Sequence, residues 1–116
     1  MSGALHTPWS DEITLIWRET SQGAGGFETV TEHRSDPPLF CDFEDGVSQS
    51  EFYRSMKAGN RASAQAEVQT VDYFDFWPNG YTDLRFAEFN GRRFRILRSF
   101  PQTFDTLTLI LEEVIR

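Results

Sequence analysis

A chain of 116 residues makes one domain, able to bury roughly 65% of the surface that its unfolded form exposes. Its 39% hydrophobic and 15% aromatic content suits an ordinary folded core, and no apolar run reaches the roughly 18 residues that a membrane-crossing helix needs. The net charge of −7 argues against general binding along nucleic acid, which takes many Lys and Arg contacts to phosphate, and a single cysteine excludes an internal disulfide.

Residues 1–10 carry neither the basic nor the apolar region of a secretion signal, and read as a flexible tail before one domain over residues 11–116. From Asp11 the chain alternates: Ile13, Leu15 and Trp17 on one face, Thr14 and Arg18 on the other, with Ile16 breaking the polarity of the second. Three glycines within residues 21–26 permit positive φ, so residues 27–33 return as the partner of a hairpin. These glycines lack the spacing and the following helix of a phosphate-cradling loop. Arg34-Ser35-Asp36-Pro37-Pro38 interrupts regular structure. Leu39, Cys41 and Phe43 then alternate in a short strand, with Cys41 as a small buried hydrophobe made in a reducing cytoplasm.

Ser48 or Ser50 caps a short helix in which Glu51 favours the dipole, Phe52 and Met56 share a face, and Gly59 marks the stop. Ala64, Ala66, Val68 and Thr70 form the next strand, ended by an aromatic stretch and the turn residues Pro78-Asn79-Gly80. Residues 84–89 return, Asn90-Gly91 closes a two-residue hairpin, and the strand of Phe94 and Ile96 follows. After Pro101, Leu107, Leu109 and Leu111 alternate in the last strand. About seven strands and one short helix in a chain this small predict a mainly β fold: a closed or nearly closed antiparallel barrel that hides its edges.

His6 and His33, with Cys41, lack zinc-ligand spacing and read as surface histidines; Asp42, Glu44 and Asp45 read as a solvated acidic turn, and Glu112 and Glu113 as exposed. No catalytic residue, metal or cofactor is expected. Ten arginines against one lysine, Lys57, favour protein contacts, since the guanidinium fork suits interfaces. Arg85, Arg92, Arg93, Arg95 and Arg98 suit a solvated strand face, a protein contact or, less well against the acidic total, nucleic acid. Tyr73, Phe74, Phe76, Trp77 and Tyr81 either close one barrel end or form an exposed anchor patch.

The order of elements resembles the head–tail joining, or head-closure, proteins of tailed bacteriophages. The likeness is carried by residues 13–17, the turn ending Gly25-Gly26, Phe27-Glu28-Thr29-Val30, Val47-Ser48-Gln49-Ser50-Glu51-Phe52-Tyr53, Ala58-Gly59, Phe89-Asn90-Gly91-Arg92-Arg93-Phe94-Arg95-Ile96 and Leu107-Thr108-Leu109. It covers about residues 11 to 114, and departs from the family's pattern at residues 74–82, where the aromatic hairpin end is large. The resemblance implies a β-barrel that assembles as a ring beneath the portal, acts as connector and stopper, retains packaged DNA and offers the tail its attachment surface. It implies a place in the virion neck after synthesis in the bacterial host cytoplasm, and no membrane.

The partners implied are further copies of the chain, a portal or portal-adaptor protein, and a tail terminator or other tail-side protein. DNA passes through without sequence-specific binding. Glu51, Phe52, Tyr53, Met56, Gly59 and Asn60 become the candidate mobile, channel-facing segment, and acidic rather than arginine side chains are expected to line the bore. Arg85, Arg92, Arg93, Arg95, Phe76, Trp77 and Tyr81 are the candidate protein interface. The alternatives are a tail-side neck component, adaptor or terminator, and a single-strand nucleic-acid-binding barrel.

Overall fold

Alternation puts every second side chain on one side of a strand, and here the apolar sides of six strands face a shared interior. The computed structural model describes residues 9–115, so the tail expected over residues 1–10 lies outside the described residues except for Trp9 and Ser10. The elements are β1 (Asp11–Gln22), β2 (Glu28–Arg34), β3 (Leu39–Glu44), α1 (Gln49–Lys57), β4 (Ala64–Gln69), α2 (Thr70–Phe76), β5 (Phe86–Phe89), β6 (Arg92–Pro101) and β7 (Thr106–Glu113). A single 3₁₀ turn, Ala24–Gly26, joins β1 to β2.

The pairings run β1–β3–β4–β7–β6–β5 and return to β1, all antiparallel, which closes a six-stranded barrel. The barrel class expected from the sequence is therefore the one observed. Closure depends on the length of β1. Its residues Asp11, Glu12 and Ile13 pair with β3, and Thr14, Leu15 and Ile16 with β5. The remainder, from Ile16 to Gln22, pairs with β2 and leaves the barrel as a two-stranded arm. Ser35 carries the chain across the gap between β2 and β3: its N–H donates to the Leu15 carbonyl at 2.9 Å, and its Oγ accepts from the Leu15 N–H at 2.9 Å.

Ile13, Leu15, Cys41, Ala64, Ala66, Val68, Ala87, Phe94, Leu109 and Leu111 fill the interior and are fully buried. Ile16, which breaks the polarity of its face, is also fully buried, at the point where β1 passes from its pairing with β5 to its pairing with β2. In β7 every residue from Thr106 to Leu111 is buried, so its threonines and Ile110 are not the solvent face that alternation suggests. Thr106 Oγ1 donates to Glu67 at 2.6 Å and Thr108 Oγ1 to the Gln102 side chain at 2.9 Å, which satisfies both hydroxyls.

One helix was expected and two are present. Thr70–Phe76 is helical, although its β-branched and aromatic residues read as the end of a strand. Tyr73 and Trp77, one turn apart, turn inward at 1% and 7% exposure while Asp72 and Asp75 face solvent. In the hairpin between β5 and β6, Asn90 and Gly91 both take positive φ, 50° and 78°, as the strand-matching tight turn requires.

Candidate functional site

The β6 arginines are engaged within the chain. Arg95 stands directly opposite Glu112 in the β6–β7 register and pairs with it at 3.2 Å. Arg92 grips Glu113 through Nε at 3.2 Å and Nη2 at 2.9 Å, and reaches Asp45 at 3.3 Å. Arg98 holds Glu51 of α1, and this guanidinium keeps the Glu51 carboxyl below the usual range. Arg93 meets Glu32 of the arm with two nitrogens, at 2.7 and 2.9 Å. Hydrogen bonds from Arg93 and then Arg18 lower the Glu32 carboxyl to about 2. Glu112 and Glu113, expected to be merely exposed, are thus half-buried ion-pair partners, and Asp45 belongs to the same network.

Arg85 differs. Its guanidinium lies 4.7 Å from the Trp77 ring centroid and 5.8 Å from that of Tyr73, and donates to Tyr73 Oη at 3.3 Å. The rings themselves divide. Tyr73 and Trp77 plug one end of the barrel, and Phe76 and Tyr81 pack against them half-buried. Phe74 points outward at 54% exposure. Of the proposed interface rings, Trp77 is core, so barrel closure accounts for it. Tyr81 links core to arm: it stacks on Trp77 at 5.9 Å and meets the edge of Trp17, which stacks on His33 at 4.1 Å.

Ser48 caps α1 by accepting from the Glu51 N–H at 3.2 Å, and Gly59, at φ 82°, ends it. The buried residue of the helix is Ser55. Its Oγ donates to the Phe52 carbonyl at 2.8 Å and accepts from the Ala62 N–H at 3.0 Å, and its carbonyl accepts from Asn60 N–H at 2.8 Å. Arg95 also holds the Asn60 side chain. The Ser55 bonds fold the exit loop back onto the helix, and the Arg95 bond ties that loop to the barrel wall. Phe52 is half-buried, whereas Tyr53 and Met56 are exposed.

No protein-family model matches this chain, and no curated protein matches it.

The Cys41 thiol is fully buried, and burial, reinforced by the carboxylates of Asp11, Asp42 and Glu12, pushes it up to about 12. That makes it an inert packing group. His33, expected on the surface, is half-buried between Trp17 and the Glu19 carboxylate 2.9 Å away; His6 lies outside the described residues. Among the described residues no three His, Cys, Asp or Glu side chains gather in a way that holds a metal ion, and no helix is long and apolar enough to cross a membrane. Sequence reasoning missed the carboxylate partners of the arginines. Arg95 with Glu112, and Arg18 with Glu32, carry a usable signal, as opposite charges facing each other on consecutive strands.

Proposed function

We propose that this protein is a structural component of a tailed-phage neck, a head-completion protein that acts as connector and stopper. It joins copies of itself beneath a portal, retains packaged DNA and presents the tail with its attachment surface. The observation that carries this reading is the division of labour in the fold. Side chains and a helical plug fill the barrel, its arginines brace it internally, and what remains outside is contact surface. That surface comprises a two-stranded arm with Phe27 77% exposed and Val30 56% exposed, and the outward rings Phe40, Tyr53 and Phe74. The resemblance of residues 11 to 114 to head-closure proteins supplies the setting. The internal pairing of Arg92, Arg93 and Arg95 agrees with a bore lined by acidic side chains, which repel duplex phosphates over about 8 Å at physiological salt.

Complementation in vitro tests the role. Purified protein added to DNA-filled, tail-less heads that lack it should restore tail joining, and added tails should then yield infectious particles. A tail-side neck role predicts instead that isolated tails lacking the protein are the component rescued.

One observation favours a second reading, a single-strand-binding barrel: α1 exposes Tyr53 together with Arg54 and Lys57, and the loop that leaves it exposes Arg61. A salt titration with labelled oligonucleotide decides it. Affinity that falls steeply with added salt supports that reading, and absence of binding removes it.

A further inference from the structure

Two patches that combine exposed apolar side chains with charge of opposite sign stand apart from the ion pairs of this acidic chain. Arg18, Arg34, Arg92, Arg93, Arg95 and Arg98 each meet a carboxylate, and Arg85 lies over rings. Among the described residues, Arg54, Lys57 and Arg61 have no such partner, and all are exposed on α1 and the loop that leaves it. The same helix also exposes Tyr53 and Met56, 54% and 47% accessible. This first patch is basic and apolar.

The second patch is acidic and apolar. A groove runs between the Asp36–Phe40 segment and α2, lined by Asp36, Phe40, Asp72, Asp75 and Phe76. Its three aspartates have no cationic partner among the described residues, and Phe40 and the neighbouring Val71 are 59% and 62% exposed. The patches lie at opposite ends of β4, since α1 leads into Ala64 and α2 follows directly on Gln69. Six strand residues separate them by about 20 Å.

We propose that the α1 face of one copy docks into the α2 groove of the next, with Arg54, Lys57 and Arg61 meeting Asp36, Asp72 and Asp75 around a centre formed by Tyr53, Met56, Phe40 and Val71. Complementary patches at two ends of one molecule make a head-to-tail contact that repeats from copy to copy, unlike the self-matching patch of a two-fold dimer. Charge steers the encounter and fixes its orientation, while the apolar centre holds it. A second copy fits better than nucleic acid, because phosphates would gain only these few cations and face the −7 charge of the rest. On this assignment α1 faces a neighbour rather than the bore. The contact takes its setting from the neck reading but is measured on the purified protein, so the two fail separately.

Sedimentation velocity and nuclear magnetic resonance of the purified chain, over a wide concentration range and at low and high salt, test this. Wild type should associate at low salt, with shifts confined to α1 and its exit loop, α2 and the Asp36–Phe40 segment, and added salt should weaken the association about tenfold or more. R54E/K57E and D72K/D75K should each stay monomeric, and mixing them should restore association because each keeps one native face. Y53A/M56A should weaken association without reversing any charge. Wild type that stays monomeric at every concentration would overturn the proposal, as would a mixture that fails to associate. So would an R54E/K57E variant that associates normally but loses oligonucleotide binding.

Discussion

Arg93 on β6 and Glu32 on β2 meet in a two-pronged contact, at 2.7 and 2.9 Å, that ties the barrel wall to the arm leaving it. The two residues are 61 positions apart, and Arg18 of β1 donates to the same carboxylate at 3.2 Å. Glu32 therefore holds three strands in one place. Replacing it with Gln removes the charge that both guanidinium groups satisfy, and the arm should loosen by about 1–2 kcal/mol after allowance for partial exposure. Faster hydrogen exchange over β2, with β4 and β7 unchanged, is the expected result.

The same carboxylate gives a pH dependence with a definite sign. Its folded value is about 2 against an ordinary 4.5, so its stabilising contribution is complete above about 4.5 and is lost as pH falls toward 2. Acid titration of wild type should loosen the arm across that window, and Glu32→Gln should flatten the response. An arm that loosens equally in both proteins would assign the effect to other carboxylates.

Ser35 is buried at the break between β2 and β3, and its hydroxyl is the acceptor for the Leu15 N–H. Ser35→Ala leaves that donor unsatisfied where β1 passes from barrel to arm, and should lower stability by about 1–3 kcal/mol in urea unfolding.

Tyr73 seals the barrel end, so Tyr73→Ala should cost about 3–5 kcal/mol by opening a cavity under Trp77. Tyr73→Phe keeps the ring, loses only the bond from Arg85, and should cost about 1 kcal/mol. Equal losses in the two variants would mean that the hydroxyl, not the ring, secures the plug.

Cys41 should resist thiol reagents at about pH 8 in the native protein and react only on unfolding, since its thiol is pushed up to about 12. Rapid native labelling would place the sulfur nearer the surface than its burial indicates.

Much of this fold is written in short-range pattern. Alternation marks the strands, Ser48 and Gly59 bracket α1, and Asn90-Gly91 sets the hairpin, because each depends on residues close in sequence. The helix Thr70–Phe76 escaped because its residues favour strands, and only burial of Tyr73 and Trp77 on one turn decides otherwise. The arginines were legible as a cluster but not as braces. Their partners Glu32, Asp45 and Glu51 come from segments 47 to 61 positions away, which spacing along one strand does not encode. Ile16 is buried on the face that alternation assigns to solvent, at the residue where β1 is paired with both β5 and β2, and those partners lie too far along the chain for local pattern to reveal.

The central claim is that this protein completes a packaged head and readies it for a tail. Electron microscopy of particles assembled without it tests this most directly. The account predicts heads that fill with DNA, leak it and never acquire tails; empty heads that never packaged, or complete tailed particles, would contradict it.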